Sequence, residues 1–104
     1  MKRGEVWWAE QPEPIGRRPV VLLSRDEAYE VRNAVTIAQV STTVRHIPVE
    51  VPLDERDGLS QKCVVNLDTM TTIRKAILRQ RICSLRTGKI EQIDKAIKFA
   101  LALP

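Results

Sequence analysis

Histidine occurs once in this sequence, at position 46, and cysteine twice, at positions 63 and 83. Neither cysteine has a Cys or His neighbour at metal-ligand spacing, so no metal centre is expected. Two cysteines in an otherwise ordinary chain do not make a disulfide framework either, and both read as buried free thiols. No apolar run approaches the length of a membrane span. The opening Met1-Lys2-Arg3-Gly4-Glu5 has no apolar core behind its charges, so the expected location is the cytosol and no membrane partner is expected. Internal repeats, low-complexity tracts and linkers are absent, and residues 1–104 read as one small domain.

What is present is ordinary in amount and uneven in placement. Hydrophobic residues make up 43% and charged residues 29%, as in a soluble globular protein with one modest core. A partner surface or a second copy would help such a core. The net charge of +4 lies wholly in the second half: residues 1–52 hold seven Lys/Arg and seven Asp/Glu, whereas residues 53–104 hold ten and six. Between Arg74 and Lys89 stand six basic residues and no acid. Such a run can draw in a polyanion, and it can equally be a solvated face.

The stretch Gly16-Arg17-Arg18-Pro19-Val20-Val21-Leu22-Leu23-Ser24 organises the rest. Pro19 fixes φ and holds Arg18 extended, and the apolar run from Val20 to Leu23 suits a strand covered on both faces. An arginine at the mouth of such a strand is held firmly. Before it, Arg3–Ala9 reads as a first strand with two adjacent tryptophans on opposite faces, only one of which can enter the core directly. The Pro-rich loop Glu10–Gly16 is placed as a lid over Arg17 and Arg18. Arg25–Arg32 is a turn or short helix. Ala34–Val40 is a third strand ended by Ser41-Thr42-Thr43, and Ile47–Leu53, with its two prolines, suits an edge strand. Strands follow at Lys62–Asp68 and near Arg81–Leu85. Ile90, Ile93, Ile97, Ala100 and Leu101 mark one face of a closing helix, which the poor helix former Gly88 starts at about Lys89. The expectation is a mainly β (α+β) domain, a compact barrel of short strands with a C-terminal α-helix.

Three motifs in this order resemble the MazF/PemK/Kid family of toxin endoribonucleases: Arg3-Gly4-Glu5-Val6-Trp7, the Gly16–Ser24 stretch, and Val64-Val65-Asn66-Leu67-Asp68 with Thr72-Ile73 after it. The resemblance covers nearly the whole chain. It implies an SH3-like barrel, a homodimer, cleavage of single-stranded RNA at short sequences without metal or other cofactor, and inhibition by a cognate antitoxin, through which alone DNA would be met. Two other classes compete. A gyrase poison of the CcdB type resembles this fold but relies on a tryptophan near its chain end, where this sequence has Phe99-Ala100-Leu101-Ala102-Leu103-Pro104. A non-catalytic RNA-binding barrel predicts binding without strand scission.

Cutting RNA without a metal requires that a 2′-OH lose its proton and attack phosphorus, that the phosphorane be neutralised, and that the departing 5′-oxygen gain a proton. Arg18 matches the arginine before proline that the family uses, and its planar donors span two phosphate oxygens. Ser41 matches a threonine or serine at the end of the third strand, where a hydroxyl can donate to phosphate or orient the ribose. Asp68 matches an acidic position assigned to base or substrate contact; its other reading is a turn-capping carboxylate. Asn66 stands where one relative has a further arginine, which puts more of the work on Arg18 or on Arg17 beside it. Thr42, Thr43 and Arg45 are expected RNA contacts, with solvated loop residues as the alternative. His46 is a natural acid/base by pKa, but no motif places it in the site, so a surface or RNA-contact role comes before catalysis.

Overall fold

β-Branched and aromatic side chains crowd Glu5–Glu10, Arg17–Leu22 and Ala34–Ser41, and these are strands β1, β2 and β3 of the computed structural model, which describes residues 1–104. Strands β4 (Glu50–Leu53), β5 (Cys63–Arg74) and β6 (Leu78–Ser84) follow. Helix α1 (Ala28–Val31) lies between β2 and β3, and α2 (Thr87–Ala100) closes the chain. All six strands form one antiparallel sheet in the order β4-β5-β3-β2-β1-β6. The fold is therefore mainly β with a C-terminal helix, and the edge position of β4 suits Pro52, which has no N–H to give.

Side chains alternate between two cores. On one face Val6, Val21, Ala38, Val40 and Val65 pack with Ile93 and Ala96 of α2. On the other, Ala9, Val20, Leu22, Val35 and Ile37 pack with Tyr29 of α1. Val20, Val21 and Leu22 are fully buried, which is what a strand covered on both faces requires. The largest break in the sheet's register lies between β3 and β5. Ile37 pairs with Thr71 and Gln39 with Asn66, so Ala38 alone stands opposite residues 67–70 of β5. A bulge of this size curls the sheet into a half-barrel and lifts Asp68 out of the ladder.

Several boundaries differ from expectation, for local reasons. β1 starts at Glu5 because Gly4 adopts φ +90°, and a Cβ there would come within 2.6 Å of Ile90 Cδ1. Its last residue is Glu10, paired with Arg17, so the loop is one residue shorter than read. β4 begins at Glu50 because the Glu50 N–H closes a turn onto the Ile47 carbonyl at 3.0 Å. β5 runs past its bulge to Arg74, and β6 begins at Leu78, directly after a 3₁₀ turn at Lys75–Ile77. Helix α2 starts at Thr87, with Gly88 in the first turn, where backbone N–H groups lack intrahelical partners in any case. The tryptophans share the margin: Trp7 packs against the second core, Trp8 lies on the other face, and both are half-buried. Of the two thiols, Cys63 is buried and Cys83 only half-buried.

Candidate active site at the ends of strands β2 and β3

Strands β2 and β3 pair Val20 with Gln39, Val21 with Ala38 and Leu22 with Ile37. Continuing this register by two residues sets Arg18 level with Ser41, and alternation puts both on one face of the sheet. Arg18 is exposed and makes no side-chain hydrogen bond or ion pair. Arg17, its neighbour, points to the other face and lies over the Trp8 ring, 4.9 Å from the centroid. The adjacent arginines thus diverge, one held on an aromatic ring and the other left for an anion. Ser41 Oγ accepts the Thr43 N–H at 3.1 Å, which fixes the oxygen and leaves its proton free to donate outward.

Asn66 pairs with Gln39 on one side and Glu50 on the other, two rows from Ser41. Its side-chain carbonyl accepts the Asp68 N–H at 2.8 Å, and its backbone carbonyl accepts from Thr69 Oγ1 at 2.5 Å. Thr69 Oγ1 in turn accepts the Gln39 N–H at 2.9 Å. Capping of the bulge therefore falls to Asn66 and Thr69, and the exposed Asp68 carboxylate is left without a partner, contrary to its reading as a turn cap.

Thr42, Thr43, Arg45 and His46 lie in the exposed segment after β3. Glu50, whose side chain is 2% exposed, gathers that segment: its Oε1 accepts the Arg45 N–H at 2.9 Å and the His46 N–H at 3.0 Å. This bond accompanies the left-handed backbone of His46, φ +55°. The Arg45 guanidinium stands 3.9 Å from Glu50 Oε2. His46 lines a cavity of about 350 Å³ with Val44, Ile47, Pro52 and Val64, on the β4 side of Ser41. No hydrogen bond or ion pair joins His46 to Arg18, Ser41 or Asp68.

Sequence reasoning missed Gln11, Gln39 and Glu50. A polar side chain inside the strand-forming run around Gln39 was the available signal for one of them. The basic run from Arg74 to Lys89 is dispersed by the fold: Arg79 pairs with Glu10 at 3.3 Å, Arg81 with Glu5 at 3.5 Å, and Arg86 and Lys89 approach Asp57 at 3.9 and 4.0 Å. Pairing of β6 with β1 brings the acids of the first half onto the bases of the second. Burial pushes the Cys63 thiol up to about 11 and raises Cys83 as well, so both stay protonated at neutral pH and offer no nucleophile. A free guanidinium near an oriented hydroxyl can bind a phosphodiester, and an unpartnered carboxylate such as that of Asp68 can accept a proton.

The model of the PemK-like, MazF-like toxin of type II toxin–antitoxin systems matches residues 2–101. The probable endoribonuclease MazF5 of Mycobacterium tuberculosis is 39% identical over 100 residues, covering 95% of this chain and 91% of that protein. Among solved structures, the M. tuberculosis toxin MazF-mt6 superposes with a TM-score of 0.89 at 32% identity, over 96% of this chain and 98% of the other. A mycobacterial endoribonuclease in complex with its cognate antitoxin superposes at 0.88 with 26% identity, covering 100% of this chain and 97% of that one. By sequence and by fold, this chain belongs to the PemK-like, MazF-like toxins of type II toxin–antitoxin systems.

Proposed function

We propose that this protein is an endoribonuclease that cuts single-stranded RNA at short sequences, and that residues 1–104 act as one toxin domain restrained by an antitoxin. The observation that carries the reading is Arg18, free of any ion pair, at the start of a strand whose register with β3, continued by two residues, leads to Ser41. The guanidinium binds the scissile phosphate and neutralises the charge that grows as the 2′-OH adds to phosphorus. Ser41 donates to a phosphate oxygen or the ribose and fixes the angle of attack. Asp68, without a partner of its own, is the carboxylate available to take the 2′ proton. Arg17, Thr42, Thr43, Arg45, His46 and Asn66 line the path of the flanking nucleotides. As the 2′-oxygen bonds to phosphorus the P–O5′ bond breaks, the departing 5′-oxygen takes a proton from water, and the products are a 2′,3′-cyclic phosphate and a 5′-hydroxyl.

Because the nucleophile belongs to the substrate, DNA of the same sequence is inert. The purified protein is expected to cut RNA in EDTA and leave cyclic phosphate ends; loss of all cleavage in EDTA would show a metal nuclease instead. A homodimer in the cytosol is the expected working form, with an acidic antitoxin segment covering the arginines. No helix is long and apolar enough to cross a membrane.

A further inference from the structure

Gln11 and Gln39 form a reciprocal amide pair. Gln11 Nε2 donates to Gln39 Oε1 at 3.0 Å, and Gln39 Nε2 donates back to Gln11 Oε1 at 2.6 Å. Gln11 is buried although it heads the loop between β1 and β2, and its backbone N–H bonds the Gly16 carbonyl at 3.0 Å across the loop mouth. Strand β2 lies between β1 and β3, so the pair must cross over β2. Alternation puts it on the face of Arg18. Gln11 follows by two residues the Ala9 that pairs with Arg18, and Gln39 pairs with Val20, two residues after Arg18. The Gln39 N–H is also bonded to Thr69 in the bulge that carries Asp68.

Apolar side chains would cover this face as well as glutamines do, but without fixing a direction. Two opposed amide bonds set both distance and angle, and removing Gln11 leaves the half-buried Gln39 amide without its donor and acceptor. We propose that the Gln11–Gln39 pair is a positioning element that pins the start of the loop across β2 and confines the Arg18 guanidinium to the side of Ser41. The inference rests on the reading that Arg18 serves the cleavage step. Gln11 and Gln39 act through Arg18, so their loss lets the guanidinium swing towards solvent while the rest of the RNA surface is kept. A displacement of about 1 Å at a reacting group can cost up to about 10²-fold in rate.

The test measures kcat and KM on a defined oligoribonucleotide for wild type, Gln11→Ala, Arg18→Lys and the double variant, with Gln11→Met as an isosteric second variant should Gln11→Ala unfold. The expected result is a kcat about tenfold lower for Gln11→Ala with KM changed by less than about twofold. In the Arg18→Lys background the same substitution should change kcat by less than about twofold, because the fork it positions is gone. An unchanged kcat in Gln11→Ala, or an undiminished tenfold loss in the Arg18→Lys background, overturns the positioning role. Full activity of Arg18→Lys and Arg18→Ala overturns instead the reading on which it rests.

Discussion

The arginines of β6 and those of β2 sit on neighbouring parts of one sheet and meet opposite surroundings. Arg79 and Arg81 each end on an acid of β1, Glu10 at 3.3 Å and Glu5 at 3.5 Å. Arg18 ends on nothing, and Arg17 rests on the Trp8 ring. Exposed pairs such as Arg79–Glu10 contribute only about 0–1 kcal/mol to stability, so their main effect is to cancel charge locally. The lesson is that the density of bases along the chain is a poor guide to where an anion binds. Arg18 is one of several cations without an acid, and what sets it apart is its place at the start of β2 beside the end of β3.

The sharpest way to break the comparison is to exchange the two sets. Arg18→Ala is expected to lower kcat by about 10² or more with RNA affinity changed far less, as for an interaction that strengthens in the transition state. Wild-type activity in that variant would erase the distinction. Ser41→Ala and Asp68→Asn should each lower kcat about tenfold, as follows from the proposed roles of orienting and deprotonating rather than neutralising. Single-turnover rates on one oligoribonucleotide compare all three. Arg17→Ala should raise KM a few-fold, roughly, and flatten its salt dependence, whereas Arg79→Ala should change KM by less than about twofold. A larger effect from Arg79 than from Arg17 would mean that β6 carries the RNA.

The smallest effect on cleavage, and the clearest on stability, is expected from Glu5. Burial alone would raise its pKa, but the Trp7 indole at 2.9 Å, the Lys2 N–H at 3.1 Å, the positive chain start and Arg81 outweigh it and hold the carboxyl below 4.5. A carboxylate with a lowered folded pKa stabilises the protein above its unfolded value and loses that contribution as pH falls through the folded one. Glu5→Gln should therefore cost about 1–2 kcal/mol at pH 7 in urea melts and progressively less below pH 4.5. A difference that stays constant with pH would assign the loss to packing.

Much of the architecture was legible because it follows from local rules. Periodicity disclosed α2, the prolines marked β4 as an edge, and the apolar run after Pro19 announced a strand buried on both faces. Arg18 and Ser41 were legible as residue types in recognisable motifs. Their common register was not, since it depends on β2 and β3 pairing with Val20 opposite Gln39. The bulge at Ala38 could not be read either: residues 62–68 and 69–73 are each acceptable strand, and only the cross-strand partner shows the extra residues. The Gln11–Gln39 pair joins positions 28 apart in sequence, and the ion pairs of the basic run join residues of opposite halves. Such contacts are tertiary facts, beyond the reach of propensity or composition.

The pairing of β1 with β6 also has a consequence in time. Glu5 meets Ser84, so the first strand lacks its outer neighbour until nearly the whole chain has been made, and α2, which covers one core, is made later still. Contacts between distant parts of a chain slow folding because a long loop must close first. During translation the arginines and the serine emerge early, and the framework that supports them is completed last. A growing chain therefore carries Arg18 and Ser41 well before the sheet edge and the helix that complete the fold around them.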